Sequence, residues 1–420
     1  MPNLTSEGNE VRIAFLGESL IGWTGGVDFL RLCISGLSST VSVGEWDVLI
    51  PKHTLTQRMR SVAGSIKRQL LALTTKGEKS RYSPVSIAEL QDAMNHIEGT
   101  VEIIPYRNSR AGLIRVLSRR KSEVLFPCQL SLGRKFPVAW VGYIPDLQHK
   151  RLPHFFSRSE CLLRDRLFSK VLADACAIVV NARTVVDDIE EFYPNHQARL
   201  FALPFCPPIN PVFSDESVDV GRTDNLPDKY FLISNQFWIH KSYETAFAAL
   251  RLVQDAGRDV HILCTGNTTD YRWPGYFDKL KTWIAKNHLQ EKVRFLGVVP
   301  KRDQLAMMRQ SVALIQPTLF EGGPGGGAVY DAVSTCTPAI VSDIDVNREI
   351  DIGVIEFFRA GSAEDLAKKM LEFLNDPPIR MGKIEALEIL SQRRREFGAR
   401  LLDVANFARD SRVPIAEVRK

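Results

Sequence analysis

Short apolar runs bounded by Gly, Pro, Asn or Asp alternate along the chain with longer stretches in which apolar residues return every three or four positions. The runs are VRIAFLG from 11, WDVLIP from 46, VEIIP from 101, AWVGYIPD from 139, AIVVN from 177 and LFALPF from 200, and then KYFLISN from 229, VHILCTG from 260, VRFLG from 293, ALIQP from 313, AIVS from 339 and VIEFF from 354. Strands that alternate with helices predict parallel sheets built from right-handed crossover units. The alternation breaks once, at PFCPPINPVFSDESVDVGRTDNLPDKY, where five prolines and a run of acids leave little periodicity. Such a stretch reads as a connection between domains. The expected division is one doubly wound α/β domain over 1–215, a second over 216–395, and a C-terminal helix over 396–420 that returns to pack on the first domain; Leu387, Leu390, Phe397, Leu401 and Val404 carry the helical spacing into that segment. Ligands on such sheets sit at the carboxyl ends of the strands, so two facing sheets place the site in the cleft between domains.

Composition narrows the class. At 420 residues the chain exceeds one ordinary core, and 45% hydrophobic with 25% charged residues is a globular balance. The 54 basic and 49 acidic residues leave a net charge of +5. An excess this small argues against a nucleic-acid partner unless it clusters. One cluster exists: Arg58, Arg60, Lys67 and Arg68 accompany Val62, Ile66, Leu70 and Leu73 at helical spacing over 58–73. This basic amphipathic helix is read either as a surface helix on its own core or as a peripheral contact with an anionic membrane or a phosphate-bearing acceptor. No run approaches the length of a membrane span and the first residues lack the form of a signal peptide, so a cytoplasmic location is expected, with peripheral attachment to the inner face of the membrane as its variant. The seven cysteines are scattered without a CxxC pair, and no histidines stand at metal-ligand spacing, which predicts reduced thiols and no metal site.

The most informative stretch is PTLFEGGPGGGAVYDAVSTCTPAIVSDIDVNREI, from Pro317 to Ile350. A strand leads into a loop holding Gly322, Gly323, Gly325, Gly326 and Gly327, and a helix is expected to start near Ala328. Glycines let backbone N–H groups approach a ligand, and a helix N-terminus adds partial positive charge, a combination suited to a diphosphate. Glu321 precedes the loop and Asp331 lies in the helix; a TP turn at Thr337 and Pro338, a strand and SDIDVNRE follow.

In this order of features the sequence resembles the retaining family-four glycosyltransferases, of the group 1 glycosyl transferases. The resemblance implies the GT-B fold, with two facing Rossmann-like doubly wound domains and an interdomain cleft. It implies a donor-binding second half in which Glu321 contacts hydroxyls of the donor sugar and Asp331 hydrogen-bonds the nucleotide ribose. Nine residues separate the two acids, more than in the family pattern, and Asp331 stands where the family has glutamate. YFLISNQFWIHKSYETAFAAL resembles the segment that holds the donor diphosphate: Lys241 is at the family's lysine position, suited to the charge that grows on the leaving group, and Gln236 occupies the arginine position, so one fixed positive charge is missing. LGVVPKRDQLAMMRQSVALIQPT resembles the segment lining the nucleobase pocket, with Gly297 and Val298 offering backbone contacts.

The first half completes the expected site. VRIAFLGESLIGWTGGVDFLRLCISGL runs from a strand through a small-residue loop into a helix expected near Val27, and Gly25 and Gly26 correspond to the family's paired glycines that approach the donor phosphate or acceptor. A dinucleotide fingerprint is missing from this turn, which argues against a dehydrogenase. YIPDLQHKRLPHFFS resembles the loop that brings a histidine beside the transferred sugar, with His149 as candidate and Asp146 as helper. The resemblance implies transfer with retention from a GDP- or UDP-linked sugar to a glycan or glycolipid acceptor in bacterial polysaccharide or lipopolysaccharide assembly. The nucleotide diphosphate sugar is then a co-substrate, and neither cofactor nor metal is required. The other readings are a sugar-nucleotide-binding protein without turnover, a membrane-surface scaffold, and a GT-B epimerase or phosphorylase.

Overall fold

The computed structural model describes residues 11–17, 24–41, 44–52, 90–91, 94, 97, 99–209 and 226–411. The basic segment 58–73 lies outside the described residues, as does 210–225 of the proline-rich connection.

The first sheet contains β1 (Ile13–Leu16), β2 (Glu45–Lys52), β3 (Thr100–Arg107), β4 (Val124–Cys128), β5 (Ala139–Tyr143), β6 (Ala177–Val180) and β7 (Arg199–Ala202), in the spatial order β3-β2-β1-β4-β5-β6-β7. The second contains β8 (Tyr230–Ser234), β9 (His261–Thr265), β10 (Val293–Gly297), β11 (Leu314–Gln316), β12 (Ala339–Asp343) and β13 (Ile355–Arg359), in the order β10-β9-β8-β11-β12-β13. Every pairing is parallel. The central strands are buried on both faces, β1 as IAFL and β6 as AIVV, which is why they read as continuous apolar runs rather than alternating ones. One strand was not expected: β4 carries Pro127, a residue that demotes a run to edge or non-strand, yet its five residues are all buried at the middle of the sheet.

The helices are α1 (Thr24–Ser38), α2 (Arg110–Arg120), α3 (Gln148–Arg151), α4 (Arg158–Asp174), α5 (Arg183–Phe192), α6 (Tyr243–Asp255), α7 (Tyr276–Lys286), α8 (Lys301–Gln310), α9 (Gly326–Ser334), α10 (Ala363–Asn375) and α11 (Lys383–Asp410). They cover both faces of each sheet. One face of the first sheet packs Phe15, Val48, Val124 and Val179 against Leu30, Ile34 and Leu37 of α1 and Phe397, Leu401 and Val404 of α11. In the second sheet Phe231, Ile262 and Ile315 meet Phe247 and Leu250 of α6, while Leu232, Leu263 and Leu314 meet Val329 and Ala332 of α9. The long helix α11 begins against the second domain, where Leu390 joins its core, and ends against the first. It crosses α1 in backbone contact: a Cβ on Gly398 would fall 2.0 Å from the carbonyl oxygen of Gly36.

Each sheet reverses its winding once, between β1 and β4 and between β8 and β11. Strand ends diverge at such a point and leave a crevice, which is where ligands of doubly wound sheets bind.

Candidate active site

The switch point of the second sheet holds a chain of polar groups. Asn235, one residue past β8, donates through Nδ2 to Oε1 of Gln316 at 2.6 Å, and Gln316, the last residue of β11, is fully buried. Gln316 Nε2 in turn donates to Glu321 Oε1 and to the carbonyl of Gly325, both at 2.9 Å. Lys241 Nζ lies 2.5 Å from the same Glu321 oxygen, with both side chains about nine-tenths buried at 12% and 8% exposure. At this distance each side chain supplies a hydrogen bond that the other lost with water on burial.

The lysine is delivered by a short 3-10 turn, Ile239–Lys241, anchored at both ends. Its Ile239 N–H donates to Asp270 Oδ2 at 3.3 Å, and the His240 carbonyl accepts from the Leu319 N–H at 2.8 Å, tying the lysine loop to the acid loop. His240 is 3% exposed; burial, with the charges of Lys241 and Arg272 beside it, holds its pKa well below the ordinary histidine value, so its ring is neutral.

The glycine-rich loop is shaped by close approaches on both sides. Gly325, at φ +65°, caps α9 and donates its N–H to Asn347 Oδ1 at 2.8 Å. Gly326 has φ +61°, and a Cβ there would lie 2.7 Å from Glu321 Oε2. The helix thus starts at Gly326, two residues before the expected Ala328, which places Gly326 and Gly327 in its first turn. From the first domain, Pro145 and Asp146 crowd Gly322, where a Cβ would fall 2.6 Å from the Pro145 carbonyl oxygen and 2.9 Å from Asp146 Cβ. Gly323 faces Asn181, whose amide bonds the Tyr143 hydroxyl at 3.0 Å. Both domains therefore meet at this loop.

Asp331 sits one turn further along α9, 3% exposed, with Oδ2 accepting from Lys301 Nζ at 2.6 Å and from Gln304 Nε2 at 3.2 Å. Gln304 also donates to Ser234 Oγ at 2.6 Å. Burial pushes the Asp331 carboxyl up to about 6, against the opposing pull of Lys301. Lys301 lies 3.9 Å from Asp28 of α1, linking this corner to the first domain.

The remaining expected residues are spread over both domains. Gln236 follows β8 in the loop before the lysine turn, where its carbonyl accepts from the Trp238 N–H at 2.8 Å. Gly297 ends β10 at φ +68° with its carbonyl bonded to the Gly266 N–H, and Val298 beside it is 79% exposed. Gly25 and Gly26 belong to the first turn of α1, which starts at Thr24 rather than near Val27. His149 is 1% exposed, with Nε2 3.0 Å from Asp165, Phe156 and Phe168 packed against its ring edge-on, and Nδ1 without a hydrogen-bond partner. Asp165 is also held by Lys150 and Tyr193, so the carboxylate that orients the histidine is itself fixed. Asp146 does reach the acid loop, while its Oδ1 accepts from the Gln148 N–H at 2.9 Å.

Sequence reasoning missed Gln316, Asn181, Lys301, Gln304 and Arg272. Gln316 had a signal: an amide inside an otherwise apolar buried strand is unstable there unless something needs it. Among the described residues no group of three metal-ligating side chains gathers, and no helix is long and apolar enough to cross a membrane.

Residues 220–393 match the family model described as glycosyl transferases group 1. Over that segment the chain carries a glycosyl transferases group 1 domain, and its overall fold is GT-B. Similar solved structures span almost the whole of it. Sucrose-phosphate synthase from Thermosynechococcus elongatus is 14% identical, with a TM-score of 0.58 over 95% of this chain and 96% of that one. The Anabaena protein HepE in complex with UDP and glucose is 12% identical, with a TM-score of 0.52 over 97% and 99%. WaaG, a glycosyltransferase involved in lipopolysaccharide biosynthesis, is 12% identical, with a TM-score of 0.52 over 96% and 99%. No curated protein matches by sequence. Glu321, Asp331 and Lys241 all lie within the matched segment.

Proposed function

We propose that this protein is a glycosyltransferase that moves a sugar from a nucleoside diphosphate carrier to a glycan or glycolipid acceptor with retention of anomeric configuration. The observation that carries the reading is the Lys241–Glu321 pair, 2.5 Å apart and fixed by Gln316 at the β8/β11 switch point. A UDP- or GDP-linked donor fits a site whose polar groups divide into a ribose corner at Asp331 and a sugar corner at Glu321. The HepE complexes with UDP and with UDP-glucose lend support to the UDP form. Assembly of lipopolysaccharide or another bacterial polysaccharide is the favoured context, in keeping with the involvement of WaaG in lipopolysaccharide biosynthesis.

In this reading the bond between the anomeric carbon and the β-phosphate oxygen breaks as the acceptor oxygen bonds to the same face of that carbon. The acceptor proton passes to the departing diphosphate. Lys241 stabilises the charge that collects on the leaving group, and Glu321 orients the sugar hydroxyls and stabilises positive charge near the anomeric carbon. The backbone N–H groups at the start of α9 face the diphosphate. No metal takes part, and chelation leaves turnover unchanged.

The test is a comparison of turnover and donor affinity for wild type and Glu321→Gln. The amide keeps shape and hydrogen-bonding capacity but loses charge, so kcat falls by about 100-fold or more, the loss seen when one transition-state group is removed, while donor Kd changes far less. Equal losses in both, or none in kcat, would remove Glu321 from its assigned role.

A further inference from the structure

The cations named so far at the cleft are already neutralised by carboxylates. Lys241 is paired with Glu321, and Lys301 with Asp331 and Asp28. A nucleoside diphosphate brings two or more negative charges, and the leaving diphosphate gains another as the glycosidic bond breaks. The lysine loop supplies no second cation of its own, because position 236 is glutamine.

Arg272 stands beside that loop in an unusual state. Its side chain is only 6% exposed, with the guanidinium carbon 5.0 Å from the centre of the Trp238 ring and 4.9 Å from that of Phe156. Nη1 donates to Gln148 Oε1 of the first domain at 3.0 Å, but Nε and Nη2 have no hydrogen-bond partner. Asp270 forms an ion pair with it, Oδ1 lying 3.5 Å from Nε, but the two carboxylate oxygens accept from the backbone N–H groups of Arg272 and Ile239 at 2.9 and 3.3 Å, so Arg272 is charge-paired like the lysines while the fork's own donors stay unmade. A buried guanidinium that leaves donors unmade forfeits more free energy than any neutral group would, and the planar fork suits two phosphate oxygens. Next to it His240 is also 3% exposed with Nδ1 unpartnered. The Asp270 carboxylate ties Arg272 to the turn that carries Lys241, so the two cations are held on one framework.

We infer that Arg272 is a donor-binding residue that supplies, from the loop after β9, the second positive charge for the diphosphate which Gln236 does not provide. The inference rests on the donor reading above and adds to it the residue that sets affinity for the charged part of the donor. Its aromatic clamp between Trp238 of one domain and Phe156 of the other fixes the guanidinium plane, so ligand binding immobilises little that was free.

The test measures binding of UDP, GDP, ADP, CDP, dTDP, the matching nucleosides and inorganic pyrophosphate to wild type, Arg272→Gln and Arg272→Lys by calorimetry, with ligand-free melting recorded for each. Loss of charged hydrogen bonds to the diphosphate predicts a drop of about 10- to 100-fold in diphosphate affinity for Arg272→Gln, with nucleoside affinity unchanged. Arg272→Lys keeps the charge without the fork and falls between the two. If Arg272→Gln folds and binds the diphosphate as wild type does, or if nucleoside affinity falls equally, the inference is overturned while the donor reading stands. A wild type that binds none of the diphosphates overturns both. Should Arg272→Gln not fold, Arg272→Lys decides alone: undiminished diphosphate affinity counts against the fork, and a selective loss supports it.

Discussion

Two neighbouring glycines in the donor loop are predicted to respond in opposite ways to the same added methyl group. Gly326 has φ +61°, and a Cβ there would approach Glu321 Oε2 to 2.7 Å and Cδ to 3.0 Å. Gly327 has nothing within 4 Å of its Cβ position. Alanine at 326 incurs about 1–2 kcal/mol from the left-handed backbone alone. The carboxylate cannot swing aside freely, because Lys241 and Gln316 hold it at 2.5 and 2.9 Å. Moving it off those partners adds about 1.5–3 kcal/mol for charged hydrogen bonds. The sum predicts a Tm lower by about 5 °C or more, at roughly 2–4 °C per kcal/mol for a domain of this size. Turnover falls as well, since Glu321 is displaced from the sugar. Alanine at 327, in the first turn of α9, removes backbone freedom from the unfolded chain and leaves Tm unchanged or slightly higher. Melting by calorimetry and donor turnover on Gly326→Ala and Gly327→Ala make the comparison. Similar melting for the two variants, or full turnover in Gly326→Ala, would refute the placement of Glu321 against the loop.

Asp331 has a carboxyl raised to about 6, so ionising it opposes folding. A raised carboxyl contributes most to stability below its unfolded value near 4 and loses that contribution as pH climbs through 6. The Tm of Asp331→Asn relative to wild type therefore rises between pH 4 and 6 and levels above, and a difference that is flat with pH contradicts the burial argument. Glu349 caps α5 across the domain boundary, accepting from the N–H groups of Arg183 and Thr184 at 2.8 Å each and from the Thr184 hydroxyl at 2.7 Å. Glu349→Ala loses a charged cap worth about 1–2 kcal/mol and lowers Tm by a few degrees in a melting scan; an unchanged Tm would show that the cap contributes nothing.

The two-sheet architecture was readable because parallel strands buried on both faces stand out as apolar runs between helical periods. β4 escaped because Pro127 weakens that signal, although the strand lies at the sheet's centre. The acid loop was readable because five glycines after a strand leave a mark that local chemistry explains. The contacts that give the site its charge balance were not. Lys301 meets Asp331 across 30 positions, and Arg272 meets Gln148 across 124. Such pairings depend on how helices and loops pack, and no local pattern encodes them. The surroundings of His149 were equally illegible: Asp165, 16 positions on, and the rings of Phe156 and Phe168 reach it only through the packing of the first domain.

The central claim is that the cleft holds a nucleoside diphosphate next to Lys241. Thermal shift of wild type and Lys241→Ala against UDP, GDP, ADP, CMP and dTDP, with and without magnesium, tests it most directly, since a ligand that binds the native state raises Tm. The account predicts a shift for one diphosphate that does not depend on magnesium and is lost in Lys241→Ala; no shift with any nucleotide, or one that survives the substitution unchanged, would contradict it.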